Sequence, residues 1–378
     1  MKQNIGIYVH IPFCEKKCDY CNFISFKTDE ETKEKYVNYL LKEIQLFADK
    51  LKNYTIDTIF IGGGTPSTLR YNSVKNILNY ITNNFDMSST AEITVEANPN
   101  SLTREKLVEY KLAGVNRLSI GLQTYNDNLL KLIGRLHTCK QFDTAVKTAK
   151  SVGFENISAD VLLGLPTQKM RDVKKTIKHL VRLKLKHISA YGLIVEENTP
   201  LAKNLESGLY SLPDENLSVK MYEKTVKLLK RRKLYRYEVS NFAKKGFESK
   251  HNLKYWNMQE YVGFGLSAHS FFDGKRCENT SNLAEYFEML EQDKFPRLEE
   301  ETENIESLKE EFVMTEIRKT SGFSLKDYEN YFGQDVLIEK QQAVAKLLKL
   351  GLIQVENDRL FATDKGFEVL NQVILELS

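Results

Sequence analysis

The chain has 378 residues, of which 42% are hydrophobic and 28% charged, with 54 Lys and Arg against 51 Asp and Glu for a net charge of +3. Such a length suits about two domains, or one α/β barrel of roughly 200 to 250 residues with an addition, and the even charge balance argues against a nucleic-acid binder. No run reaches the ~18 apolar residues of a membrane span, and the first 13 residues hold neither a long apolar stretch nor a small-residue cleavage site, so a cytoplasmic location is expected.

From residue 5 to about 195 a βα rhythm repeats. β-Branched runs at 5–11, 57–61, 92–96, 117–121, 156–163 and 187–195 predict six strands. Between them lie amphipathic stretches with readable ends. Thr28-x-x-Glu31 predicts a capping box opening a helix that carries Tyr36, Leu40, Ile44 and Phe47 on one face. Gly114 and Gly153 follow helical runs where a C′ glycine is expected. Strands alternating with helices imply a parallel sheet with right-handed crossovers. Six units predict an open (β/α)6 partial barrel, its site formed by loops at the C-terminal strand ends. After Pro200 the rhythm loosens: a helix follows Pro213 and Asp214, a further strand is predicted at 235–242, and an aromatic-rich stretch runs to about 290. The acidic run at 299–307 is expected to start a new element. Helical segments then precede strands at 352–355 and 359–362 around the turn-like Glu356-Asn357-Asp358, predicting a smaller, mostly helical, winged-helix-like C-terminal module. The expected division is 1–240 for the barrel, 241–297 for a connecting region and 298–378 for the module.

Three of the five cysteines fall within eight positions, as Cys14-x-x-x-Cys18-x-x-Cys21 directly after the first predicted strand. A disulfide framework spreads cysteines through a small secreted chain, and a structural zinc site wants four ligands, usually in two pairs. Neither pattern is present. Three thiolates on one loop suit three irons of a [4Fe–4S] cubane and leave the fourth iron open. Gly62-Gly63-Gly64-Thr65-Pro66 closes the second strand, and its glycines allow close approach to a ligand. Glu96, Gln123 and Asp160 lie at or near the ends of successive strands and are expected to face one barrel mouth. Arg135 is a candidate for bidentate pairing with a carboxylate. Cys139 and Cys277 read as ordinary core or surface thiols.

Cys14-Glu-Lys-Lys-Cys18-Asp-Tyr20-Cys21 resembles the radical-SAM signature, and the flanking Tyr8-Val-His-Ile-Pro-Phe-Cys14 is similar to that of the coproporphyrinogen-dehydrogenase-like branch. The resemblance covers essentially the whole chain. It implies that Cys14, Cys18 and Cys21 ligate the cluster and that Tyr8, Tyr20, Gly63, Gly64, Thr65, Glu96, Gln123, Arg135 and Asp160 contact S-adenosylmethionine. The coproporphyrinogen-oxidising enzymes carry a fourth cysteine two positions after the third, where Phe23 stands here, and an N-terminal extension before the first strand.

His251-Asn252-Leu-Lys-Tyr255-Trp256 resembles instead the His-Asn-x-x-Tyr-Trp motif of the HemW heme chaperones, and the block from Tyr235 to Ala243 matches that branch too. A neutral imidazole is a good axial ligand for heme iron, and Tyr255 and Trp256 offer flat faces to a macrocycle. The resemblance thus implies a heme chaperone that holds heme with a [4Fe–4S] cluster and S-adenosylmethionine, its heme contacts being His251, Asn252, Tyr255 and Trp256. It implies delivery to acceptor hemoproteins such as respiratory cytochromes, with no catalytic residue required, peripheral membrane contact and homodimerisation. The alternatives are an oxygen-independent coproporphyrinogen III dehydrogenase and an anaerobic heme-opening methyltransferase. His269 is a second histidine expected near the same mouth, and His10 and His137 are expected to orient polar groups.

Overall fold

The computed structural model describes residues 2–298 and 304–378. Six parallel strands form its centre: β1 (Gln3–Ile11), β2 (Tyr54–Gly63), β3 (Met87–Ala97), β4 (Arg117–Gln123), β5 (Asn156–Leu163) and β6 (His187–Gly192), hydrogen-bonded in that order. All six coincide with the expected runs. Their inward and outward residues are both covered, and this is why they read as continuous apolar stretches rather than alternating ones: every residue of β4 is buried, the arginine that opens it included. The sheet continues past β6 through β7 (Tyr235–Arg236) and β8 (Asn241–Ala243). On the other side it continues past β1 through β9 (Tyr261–Phe264), β10 (His269–Phe272) and β11 (Lys275–Glu278). Residues from the 241–297 stretch therefore extend both edges of the barrel sheet.

Helix ends follow local chemistry. The first helix spans Glu30–Phe47 and is capped by Asp29, whose carboxylate accepts from the Thr32 N–H at 2.7 Å. The expected cap at Thr28 is thus displaced by one residue, because Asp caps at least as well as Thr and the acidic pair Glu30 and Glu31 then sits in the first turn, where the helix dipole favours it. Tyr36, Leu40, Ile44 and Phe47 are all fully buried, as the spacing requires. The single strand expected at 235–242 is instead a tight antiparallel hairpin, Tyr235 opposite Ala243. Its tip carries the acidic Glu238 and polar Ser240, which break the apolar alternation a longer strand would need.

Beyond the five residues 299–303, which lie outside the described residues along with the first half of the acidic run, a helix spans Ile305–Glu316. Shorter helices and the sheet β12 (Phe323–Ser324), β14 (Arg359–Ala362) and β13 (Ile353–Glu356), in that order, complete a second core around Phe312, Tyr328, Leu360 and Ile374. Its hairpin turns on Asn357 and Asp358, both left-handed (φ 49° and 62°), as a two-residue type I′ turn requires. This unit is joined to the barrel at the hairpin tip: the Thr320 N–H donates to the Tyr237 carbonyl at 3.0 Å, and Lys319 reaches Asn257.

Candidate functional site

The loop leaving β1 is anchored before its chemistry begins. Phe13 is fully buried against Phe26, the Cys14 N–H donates to the Phe26 carbonyl at 3.0 Å, and the Asp19 N–H donates to the Ile133 carbonyl at 3.2 Å. Cys14, Cys18 and Cys21 are half-buried free thiols on this loop and line one cavity of about 600 Å³. Burial pushes the Cys21 thiol up, and the neighbouring Cys18 and Cys14 push in the same direction, so the three sulfurs share one neighbourhood. Among the described residues no three acidic, His or Cys side chains converge on a single ion position. In a cubane, three thiolates each bind a different iron. Thr65 Oγ1 lies 3.5 Å from the Cys14 sulfur and Arg135 Nη1 3.5 Å from that of Cys18.

The glycine turn after β2 is dictated from within the protein. Gly63 has φ +106°, and a Cβ there would lie 2.7 Å from the His10 ring; one on Gly64 would lie 2.8 Å from the Phe13 carbonyl oxygen. The glycines thus let the second strand's exit pass against the cysteine loop, in addition to any closeness to a ligand. Gly63, Gly64, Thr65, Glu96, Gln123, Arg135, Asp160 and Tyr20 all face the cavity. Burial, and after it the charge of Asp160, pushes the Glu96 carboxyl up to about 8. Asp160 is raised by its own burial, offset by hydrogen bonds from Ser189 and Ser119, the latter at 3.0 Å. Arg135 is held to Asn98 and to the Gly121 carbonyl (2.9 Å). Tyr8 is the exception: it is not on the cavity wall, and its hydroxyl is 3.0 Å from His10 Nδ1. His10 and His137 bond the Ile24 and Leu122 carbonyls at 3.0 and 3.2 Å.

The His251 motif folds as a short helix, Lys250–Trp256, capped by Ser249. Its start reaches the middle of β2 and β3, through Thr58 and Glu92. It therefore packs against the strands before the glycine turn, and its later residues reach the cavity that the cysteine loop also lines. Asn252, Tyr255 and Trp256 line the cavity; His251 does not. His251 is fully buried, with Nδ1 2.8 Å from Thr58 Oγ1, Nε2 2.8 Å from the Tyr255 hydroxyl and the ring stacked on Phe60. Burial, then the charges of Lys254 and Arg117, lowers its pKa to about 3. Both ring nitrogens are engaged, so in this conformation the imidazole has no free lone pair to present to an iron. In this conformation His251 supports the Tyr255 hydroxyl from behind the cavity wall. His269 is two-thirds exposed, 3.3 Å from Glu278 and off the cavity wall. Cys139 and Cys277 are buried free thiols, as expected.

Several cavity residues were not singled out by sequence: Arg117, Ser119, Ser189, Glu238, Asn241 and Arg318. Arg117 had a signal, a charge opening an otherwise apolar strand. Glu238 and Asn241 fell inside a matched block without a role, and nothing local marks Arg318.

The profile of the Radical SAM superfamily matches residues 8–180 and that of the HemN C-terminal domain residues 306–369. The chain is 36% identical over 367 residues to the heme chaperone HemW of Bacillus subtilis, covering 97% of each chain. It is 37% identical to the heme chaperone HemW of Lactococcus lactis, over 97% of this chain and 95% of that one. Among solved structures, coproporphyrinogen III oxidase (HemN) from Escherichia coli superposes with a TM-score of 0.86 over all of this chain and 90% of that one, at 21% identity, a likeness of fold.

Proposed function

The chain belongs to the HemW heme chaperone family within the radical SAM superfamily, and from that premise we propose that it binds heme together with a [4Fe–4S] cluster and S-adenosylmethionine and passes the heme to acceptor hemoproteins. The observation that carries the reading is the shared cavity: the cysteine loop forms one part of its wall, and Asn252, Tyr255 and Trp256 form another. When bound, the cluster supplies the electron that S-adenosylmethionine chemistry needs. In this reading Cys14, Cys18 and Cys21 are its ligands. Tyr20, Gly63, Gly64, Thr65, Glu96, Gln123, Arg135 and Asp160 bind the S-adenosylmethionine, and Tyr8 acts behind them through His10. The macrocycle lies against Asn252, Tyr255 and Trp256, with His251 fixing the Tyr255 hydroxyl.

The chain works as three parts in this proposal, a core of 1–240, a heme-bearing segment of 241–297 and a module of 298–378. The acceptors include membrane-bound cytochromes, reached by a cytoplasmic protein through peripheral contact and as a homodimer. No helix among the described residues is long and apolar enough to cross a membrane. Against an oxidative decarboxylase stands Phe23, 69% exposed at the cavity wall where the resembled enzymes carry a cysteine.

The test is to give anaerobically reconstituted protein a reductant and S-adenosylmethionine with coproporphyrinogen III or with heme. Stable stoichiometric heme binding and no tetrapyrrole product is the expected result. Protoporphyrinogen, or an opened macrocycle, overturns the chaperone reading.

A further inference from the structure

The inner part of the cavity holds polar groups that the protein itself leaves unpaired. Arg117, at the start of β4, is 2% exposed. Its Nε–H has no hydrogen-bond partner, and no carboxylate among the described residues forms an ion pair with it. Glu96 and Asp160 feel its charge without touching it. The indole Nε1–H of Trp256 is also buried without a partner. The Arg318 guanidinium sits 5.8 Å from the centre of the Trp256 ring; its Nε–H donates to the Met314 carbonyl at 2.9 Å, and its terminal nitrogens have no partner among the described residues. These groups cluster around the hairpin tip. Arg117 acts on Tyr237 and on His251, five residues before Trp256, while Arg318 acts on Glu238. All three line the same cavity.

A buried guanidinium without an ion-pair contact or a full set of hydrogen bonds is costly. Arg117, with the half-buried Arg318 and the unsatisfied Trp256 N–H facing the same cavity, makes a site whose donors call for an anionic acceptor. A planar carboxylate matches the guanidinium fork. Glu238, fully buried with one carboxylate oxygen unpaired, does not fill that role. Burial pushes it up to about 7, so near neutrality it is only partly ionised.

We propose that Arg117, Arg318 and the Trp256 N–H form a carboxylate subsite that takes a propionate arm of the bound tetrapyrrole. The inference rests on the heme reading above. It also gives the C-terminal unit a role, since Arg318 belongs to that unit while Arg117 and Trp256 belong to the barrel; one ligand arm would tie the two together.

The probes are iron protoporphyrin IX, with two free propionates, and its dimethyl ester, whose carboxyls cannot ionise, each titrated into the reconstituted full chain and followed by absorbance. Wild type is expected to bind the diacid about 10- to 100-fold more tightly than the ester, the usual worth of a charge-assisted hydrogen bond. Arg117→Gln and Arg318→Gln should each lose most of that advantage while leaving ester affinity within about twofold of wild type. Arg318 is the less buried of the two, so Arg318→Gln decides the matter if Arg117→Gln does not fold. Equal binding of diacid and ester by wild type, or an undiminished preference in Arg318→Gln, overturns the subsite and leaves the heme reading standing. Failure of wild type to bind either probe overturns the heme reading, and the subsite with it.

Discussion

His251 should stay neutral far into acid, and replacing it should remove a specific part of the chain's pH sensitivity. The ordinary histidine value is 6.5, whereas burial holds this imidazole at about 3. Between those values the unfolded chain takes up a proton that the folded chain refuses. Stability from this group is therefore fully present above about 6.5 and is lost as pH falls toward 3. Each pH unit inside the window is worth about 1.4 kcal/mol, so lowering pH from 8 to 5 should cost the native state about 2 kcal/mol through His251 alone. His251→Gln keeps polar atoms near Thr58 Oγ1 and the Tyr255 hydroxyl but cannot titrate. The stability gap between wild type and His251→Gln should accordingly shrink by about 2 kcal/mol from pH 8 to pH 5, while the contributions of His187 and His10, both also lowered by burial, cancel in the difference. Urea unfolding at a series of pH values measures the gap, and the fluorescence of Trp256, the single tryptophan, reports from the same helix. A gap that stays constant over this range would refute the reasoning, as would a ring signal titrating near 6.5 in selectively labelled protein. Either result would return His251 to the role of an accessible ligand.

Glu43 is buried and accepts from the Tyr286 hydroxyl (2.7 Å), the Gly265 N–H (2.8 Å) and Asn279 Nδ2 (2.7 Å), joining the first helix to the segment beyond β9. Glu43→Leu strands the Tyr286 hydroxyl and the Gly265 N–H, leaves Asn279 Nδ2 with only the Gly265 carbonyl, and should cost about 3–5 kcal/mol in urea unfolding; a loss under about 1 kcal/mol contradicts that reasoning. Gly64→Ala puts a Cβ against the Phe13 carbonyl and should displace the cysteine loop, read as reduced iron and sulfide per chain after reconstitution; wild-type iron content would show that the loop can yield. Serine at Cys14, Cys18 or Cys21 should abolish cluster assembly, whereas Cys139→Ser and Cys277→Ser, at buried thiols off the cavity wall, should leave iron content unchanged. Loss of the cluster in either of the latter two would place a ligand where none is proposed.

The six parallel strands, the helical face of Tyr36, Leu40, Ile44 and Phe47, the left-handed turn at Asn357-Asp358 and the cysteine loop were legible because each is a short-range property. Burial on both sides of a strand, one stripe of a helix, a positive φ at two positions and the reach of three thiols along one loop all leave their mark within a few residues. The hairpin at Tyr235–Ala243 was less legible, because a turn that places an acidic tip inside the molecule contradicts the local rule that acidic residues face water. What only the tertiary structure decided is which atoms are already satisfied. The sequence assigns His251 to a heme motif, but whether its nitrogens are free depends on Thr58, a residue 193 positions away that meets it from β2. Arg117 and Arg318 are two charges among 54 basic residues until the fold brings both to one cavity, Arg117 without an ion-pair partner and Arg318 with only its Nε–H engaged among the described residues. Hydrogen-bond satisfaction is settled by long-range packing, and no local pattern encodes it.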